Sequence, residues 1–202
     1  MGIQTTCIGA YPKPDYLHDN NWSETGETQP GNVRGFDYVD SQAKEAPKSL
    51  LDQATAEAIA DQVQCGIDVP TDGEQRRENY IHYHCRHLEG IDFQHLTKKI
   101  HRNGAAVADL PTITGKIAPR DGHFLDKDYE FAQGCTKRPV KITVPGPITI
   151  MDTTADAFYH DDKALALDLA TALNYEIRAL AEAGCRHIQV DEPLFARNVV
   201  LA

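Results

Sequence analysis

With 202 residues, 41% of them hydrophobic and 25% charged, the chain fits one domain with a substantial core and has the composition of a soluble globular protein. Its formal net charge of −10 argues against nucleic acid or an anionic membrane as a partner, because both bind basic surfaces. No stretch approaches the roughly 18 apolar residues of a membrane span, no signal peptide is visible, and the five scattered cysteines give no disulfide pattern, so we expect a cytoplasmic protein.

Short β-prone runs alternate with helical patterns along the chain, and this alternation predicts a parallel α/β sheet. The predicted strands are 3–8, 67–69, 112–114 within 107–118, 140–144 and 186–190. The predicted helices are about 47–64, 75–88, 126–135 and a long helix that begins at Asp161 or Asp162 and ends at Gly184. The pattern contains no internal repeat, so we expect one domain over residues 1–202.

A polar loop from 18 to 35 is inserted after the first strand and contains the only tryptophan, Trp22. A loop of this length is either functional or disordered. The aromatic residue within it favours a substrate lid.

Turns that follow the predicted strands contain the candidate site, since a βα-barrel places its active site at the carboxyl ends of its strands. Ile8-Gly9-Ala10 follows the first strand and either binds a carboxylate through backbone N–H groups or forms an ordinary turn. Glu74 follows the second strand and either holds an ammonium group or favours the start of a helix. Asp191 and Glu192 follow the last strand and point to opposite sides. We expect Asp191 to face the barrel axis and Glu192 to bond to neighbouring strands.

Four side chains that can bind metals lie close together at His82, His84, Cys85 and His87. One straight helix cannot direct four ligands to the corners of a tetrahedron. We therefore predict a solvated helix with one or two histidines near the site. The pair Arg76-Arg77 could meet an anionic substrate, but an exposed charged face is the favoured interpretation.

Four segments occur in the order and approximate spacing of one enzyme family. They are Thr5-Thr6-Cys7-Ile8-Gly9-Ala10-Tyr11-Pro12, Thr71-Asp72-Gly73-Glu74-Gln75-Arg76-Arg77-Glu78-Asn79, Val144-Pro145-Gly146-Pro147-Ile148-Thr149 and Ile188-Gln189-Val190-Asp191-Glu192-Pro193. Through essentially its whole length the chain resembles the catalytic barrel of cobalamin-independent methionine synthase. The resemblance implies a TIM (β/α)8-type barrel that is incomplete here, with about the first five βα units, because a full barrel needs about 250 residues.

The resemblance also implies a reaction and its site. A methyl group would move from methyl-tetrahydrofolate, or a similar donor, to the thiol of homocysteine, which a zinc ion activates. Ile8, Gly9 and Ala10 would hold the carboxylate of homocysteine or methionine, and Glu74 and Asp191 would hold the ammonium group. Many members have a serine where this chain has Ala10, so one hydroxyl contact is missing.

In this family the zinc ligands come from strands that would follow Ala202, so we expect no metal site in this chain and no activity from it alone. A second chain that completes the barrel is one possible partner. The catalytic residues are not identified by the resemblance. Two alternatives stay open: a zinc-dependent alkyl transferase of the epoxide:coenzyme M type, which Ala10 would suit, and a non-catalytic half-barrel that serves binding or assembly.

Overall fold

A computed structural model describes residues 2–18, 46–101, 106–120 and 122–197. The predicted loop at 18–35 and its Trp22 lie outside these residues, apart from His18. The helices are α1 (Asp15–His18), α2 (Lys48–Gln64), α3 (His82–Arg86), α4 (Leu125–Gly134), α5 (Pro147–Asp152), α6 (Asp162–Glu182) and α7 (Leu194–Arg197). The strands are β1 (Leu88–His101), β2 (Ala106–Pro119), β3 (Lys141–Pro145), β4 (Ala155–Asp156) and β5 (His187–Asp191). Within the described ranges, no helix has both the length and the apolar character that crossing a membrane requires.

Four extended segments run parallel to one another in chain order. Thr6 bridges Val69, and Thr71 bridges Lys141, both in the parallel sense. β3 then pairs with β5 in parallel over its whole length. Four of the five predicted strands therefore lie side by side, and the α/β class is confirmed.

The remaining predicted strand, 112–114 within 107–118, is not part of this parallel array. It is β2, which pairs antiparallel with β1 to form a long hairpin, and it contacts β4 in parallel with Thr112 opposite Ala155. The prediction of a wholly parallel five-stranded sheet is therefore wrong. Sequence reasoning missed β1 because its alternation is interrupted at Gly90 and again between Asp92 and Thr97. At the first interruption the backbones of β1 and β2 approach each other closely, since a methyl group on Gly90 would lie 2.6 Å from the carbonyl oxygen of Gly115.

The predicted helix at 75–88 is also mostly absent. Only α3 is helical, and Leu88 already begins β1. The prediction of a solvated helix is wrong as well, because His82, His84 and Cys85 are buried. His82 packs edge-on against Phe93 of β1. The sequence of the helix alone does not reveal this partner, because Phe93 lies in a different element.

The longest helix, α6, matches its predicted start and stop. The Asp161 side chain accepts hydrogen bonds from the N–H groups of Lys163 and Ala164, as an N-cap residue does. Gly184 has a φ of +94° just beyond the helix, where glycine is favoured. One core cluster joins this helix to the parallel strands and the hairpin; its members include Leu88, Ile113, Ile117, Ile142, Val144, Leu165, Leu169, Leu173 and Leu180. The carboxyl ends of the parallel strands are thereby held in fixed positions.

Candidate functional site

The corner formed by Ile8, Gly9 and Ala10 begins two residues after the first parallel bridge. Among the described residues, the N–H groups of this corner have no hydrogen-bond acceptor. Ile8 and Ala10 are exposed. Gly9 lies against a carboxyl group, since a methyl group built on it would be 3.3 Å from Oε1 of Glu74. A carboxyl group therefore adjoins N–H donors that have no acceptor within the described part of the chain.

A tight turn fixes the backbone of Glu74. Its φ is +54°, in the left-handed region that few residues other than glycine adopt. The Glu74 N–H donates to Oδ1 of Asp72 over 3.1 Å, and the Glu74 carbonyl accepts from Nζ of Lys13 over 2.8 Å. Backbone strain of this kind is concentrated at functional sites.

Glu74 as a whole is only 4% exposed. It accepts a 2.6 Å hydrogen bond from the hydroxyl of Thr143 and lies 3.7 Å from Nη1 of Arg77. Burial raises the pKa of Glu74, and the charges of Asp72 and Asp191 act in the same direction. Arg77 and the Thr143 hydrogen bond oppose this rise in pKa. Taken together, these surroundings raise the pKa of Glu74 above its usual value, with burial as the largest cause.

Asp191 ends β5 and is half-buried. Its Oδ1 accepts a 2.6 Å hydrogen bond from Nε2 of Gln189, and the same nitrogen donates to the carbonyl of Ile8 over 2.9 Å. Burial raises the pKa of Asp191, while Gln189, Arg77 and Lys141 oppose the rise. Gln189 therefore joins Asp191 to the corner that contains Gly9.

The adjacent acid, Glu192, has different partners. Its carboxylate accepts hydrogen bonds from the N–H of Ile148 over 2.8 Å, and from the N–H and hydroxyl of Thr149 over 3.0 and 2.7 Å. These groups belong to the first turn of α5, where a negative charge is favoured. Glu192 thus bonds to the helix that follows the neighbouring strand, and not to a strand as we expected.

The structure brings four of the five predicted site residues into one network. Gly9 lies against Glu74, Gln189 links Ile8 to Asp191, and the charge of Asp191 acts on Glu74. Ala10 is exposed and is not part of this network.

Sequence reasoning assigned no role to Lys141, Thr143 or Gln189, although alternation could have revealed them. Lys141 and Thr143 share one face of β3, as Gln189 and Asp191 share one face of β5. The interpretation of Arg77 as exposed was wrong, because it is 2% exposed. Its buried position depends on Thr143, which lies 66 positions further along the chain.

The described residues do not fit a zinc centre. Zinc takes about four converging His, Cys or carboxylate ligands, and within the described ranges no three such side chains are grouped to hold an ion. Burial lowers the pKa of His82 to about 4 and the pKa of His84 well below its usual value. Both rings are therefore neutral. Within the part of the chain that the structure describes, each Nε2 lacks a hydrogen-bond partner, and no cluster of metal-binding side chains includes these rings.

Comparison with known proteins identifies the family. The family model described as cobalamin-independent synthase, catalytic domain, matches residues 3–202. The chain belongs to this family. The methionine synthases of Saccharolobus solfataricus and Sulfolobus acidocaldarius are each 31% identical to it over 192 residues, which is 95% of this chain and 53% and 52% of theirs. The chain thus spans about half the length of these relatives.

Solved structures agree with the family assignment. A B12-independent methionine synthase from Shewanella sp. W3-18-1, in complex with selenomethionine, matches with a TM-score of 0.75 and 30% identity, over 95% of this chain and 52% of that one. A putative vitamin-B12-independent methionine synthase from Listeria monocytogenes matches with a TM-score of 0.66 and 20% identity, over 94% and 52%. The second match supports the fold alone.

Proposed function

We propose that this chain binds the amino-acid substrate of a cobalamin-independent methionine synthase, which is homocysteine. The observation that supports this proposal best is the contact between the Gly9 corner and the Glu74 carboxyl. An amino-acid zwitterion needs N–H donors for its carboxylate and carboxylates for its ammonium group. The structure of the Shewanella relative, which is in complex with selenomethionine, supports an amino acid of this shape as the ligand.

In the proposed reaction a methyl group passes from methyl-tetrahydrofolate, or a similar donor, to the thiol of homocysteine and gives methionine. The N–H groups of Ile8, Gly9 and Ala10 hold the carboxylate, and Glu74 and Asp191 hold the ammonium group. Both ends of the amino-acid backbone are thereby fixed, which orients the thiol for attack.

We infer that the parallel segments are the first part of a TIM-type barrel. Zinc would supply the activation of the thiol, but its ligands would have to come from another segment or from a second chain that completes the barrel. The described residues alone would then bind the amino acid without catalysing the transfer.

The pair of carboxyls favours an amino acid over coenzyme M, the thiol of the alternative alkyl transferase. Coenzyme M has a sulfonate and no ammonium group. Beside Glu74 and Asp191 the sulfonate would meet like charge, and no cation on the ligand would compensate for it. Ala10, at a position where many members of the family have serine, favours this alternative.

Isothermal titration calorimetry with matched ligands tests the proposal. We expect L-methionine and L-homocysteine to bind. We expect 4-(methylthio)butanoate, which lacks the ammonium group, and 3-(methylthio)propylamine, which lacks the carboxylate, to bind at least about tenfold more weakly, because each loses charge-assisted hydrogen bonds worth about 1.5–3 kcal/mol. Equal affinity for the deaminated ligand, or no binding of either amino acid, would contradict the proposal.

Variants then assign the ammonium site to its residues. Glu74→Gln and Asp191→Asn should each weaken L-methionine binding by roughly ten- to a hundredfold. Neither variant should weaken the binding of 4-(methylthio)butanoate, which has no ammonium group. Glu130→Gln, on the exposed surface of α4, is the matched control and should bind both ligands as the unmodified chain does.

A further inference from the structure

Each site carboxyl accepts a hydrogen bond from a neutral side chain that is itself held by a buried cation. In the first case, Nη1 of Arg77 donates to the hydroxyl and carbonyl oxygens of Thr143 over 2.8 and 2.9 Å. The hydroxyl of Thr143 in turn donates to Oε1 of Glu74 over 2.6 Å. Because Arg77 has only donors, the Thr143 oxygen must accept from it, and the hydroxyl proton is left for Glu74.

The second case has the same order of groups. Nζ of Lys141 donates to Oε1 of Gln189 over 2.6 Å and to the carbonyl of Cys7 over 2.5 Å. An ammonium group has no acceptor, so this contact fixes the amide with its oxygen toward Lys141. Nε2 of Gln189 is then directed to Asp191 and to the carbonyl of Ile8.

The two arrangements occupy one face of neighbouring strands. Lys141 and Thr143 are two residues apart on β3, as Gln189 and Asp191 are on β5, so each pair shares a face. Thr143 lies opposite Gln189 in the parallel register. The strand pairing itself thus sets both hydrogen-bonding side chains beneath the proposed ligand.

Burial of Glu74 and Asp191 favours their neutral forms, which attract an ammonium group weakly. The charges that act on Glu74 are Arg77, which favours ionisation, and Asp72 and Asp191, which oppose it. The ammonium group of Lys13 also donates a hydrogen bond to the backbone carbonyl of Glu74.

For Asp191 the surrounding charges differ. Lys141 and Arg77 favour ionisation, and the ionised Glu74 opposes it, as the mutual repulsion of the two carboxylates requires. The hydrogen bonds from Thr143 and Gln189 act on one carboxyl each.

We propose that Thr143 and Gln189 are positioning residues that, supported by Arg77 and Lys141, keep Glu74 and Asp191 ionised and directed at the ammonium group of the bound amino acid. The inference rests on the function proposed above. It adds specific residues to the ammonium site and predicts that each hydrogen-bond donor controls one acid.

A carbon-13 NMR titration of the Glu74 and Asp191 carboxyls in the free chain tests this directly. Thr143→Val keeps the branched shape and removes the hydroxyl, so the titration midpoint of Glu74 should rise by about one pH unit, with a smaller effect on Asp191. Gln189→Met should produce the reverse pattern. Thr143→Ser keeps the hydroxyl and should restore the midpoint of Glu74.

The control is Thr171→Val on the exposed surface of α6, where the hydroxyl donates to the carbonyl of Leu167. This variant makes the same chemical change and should move neither midpoint. A merely structural role for Thr143 would lower the melting temperature without shifting Glu74 selectively. If Thr143→Val and Gln189→Met leave both titrations in place, the proposal is overturned.

Calorimetry with L-methionine between pH 5 and pH 8 supplies the functional readout. Thr143→Val should bind more weakly at the low end, by up to about tenfold, because one unit of pKa changes the ionised fraction by at most about tenfold, and it should approach the unmodified chain at the high end. If the unmodified chain binds but Thr143→Val matches it at every pH, this inference fails. If the unmodified chain binds no amino acid, the proposed function fails, and the NMR titration still decides whether Thr143 and Gln189 control the two acids.

Discussion

Gly146, near the candidate site, has no room for a side chain. A methyl group built there would lie 2.1 Å from Oε1 of Glu192, far inside any normal contact. The same carboxylate accepts three hydrogen bonds from Ile148 and Thr149 at the start of α5. The absence of a side chain at Gly146 is therefore a requirement of the Glu192 contacts.

Gly146→Ala should reduce the free energy of unfolding by about 1–3 kcal/mol, because the added methyl group displaces Glu192. Urea denaturation measures the loss. In a Glu192→Ala background the same substitution should cost much less, since the two changes are coupled through one contact. Gly134→Ala at the end of α4, where a methyl group meets nothing within 4 Å, is the control. Equal costs in both backgrounds would refute the assignment.

At the scale of elements, α4 is tied to its neighbours through a buried acid. Asp128 of α4 accepts a 2.9 Å hydrogen bond from the Tyr83 hydroxyl of α3 and lies 3.5 Å from Nε of Arg76. Burial raises the pKa of Asp128 to about 6, and the charge of Asp72 adds to the rise. Arg77, Tyr83 and Arg76 only partly oppose this increase.

This shift makes the stability of the helix contacts depend on pH. Between about pH 4 and pH 6 the folded state binds more protons at Asp128 than the unfolded state. The stabilisation that protonated Asp128 gives the folded state is therefore complete at low pH and is lost as the pH rises through 6. The stability of the unmodified chain relative to Asp128→Asn should fall by about 1–3 kcal/mol from pH 4 to pH 7. Urea denaturation at several pH values checks this, with Asp126→Asn in the same helix as control. Parallel pH curves for the unmodified chain and Asp128→Asn would contradict the prediction.

At the scale of the whole molecule, the hairpin and the parallel segments share one hydrophobic core. Ile113 and Ile117 of β2 belong to the same cluster as Val144 of β3 and Leu169 of α6. The outer part of the hairpin is different, because Ile100 is 68% exposed. The inner part of the hairpin is therefore a structural part of the α/β core.

Ile113→Ala should destabilise the chain by about 2–5 kcal/mol, as the removal of a buried isoleucine side chain does, and Ile100→Ala should have almost no effect. We expect one cooperative transition, seen at the same urea concentration by circular dichroism and by hydrogen exchange of β3 peptides. If the hairpin unfolds at a lower urea concentration than the one at which the amide hydrogens of β3 exchange, the two parts do not form one cooperative domain.

The sequence could predict those elements whose signals are local. The leucine pattern of α6, its Asp161 cap and the stop at Gly184 are all read within one helix. The parallel strands follow from β-prone runs, and the resemblance to a known family indicated Glu74 and Asp191. That Glu74 and Asp191 bind the amino-acid substrate stays a prediction.

Other features depend on contacts that no local pattern contains. β1 is concealed by its bulges at Gly90 and after Asp92. The burial of Arg77 depends on Thr143 of β3, which lies 66 positions further along the chain and accepts hydrogen bonds from its guanidinium group. Tertiary contacts therefore determine which polar residues belong to the site.

The register between β3 and β5 restricts how the lengths of these strands can change. A residue inserted into β5 before Gln189 would turn Gln189 and Asp191 to the opposite face and bring Val190 inward, because side chains alternate along a strand. A deletion would do the same. Insertions and deletions within these two short strands would therefore remove the proposed ammonium site in a single step, whereas changes in the length of the connecting loops would leave the register intact.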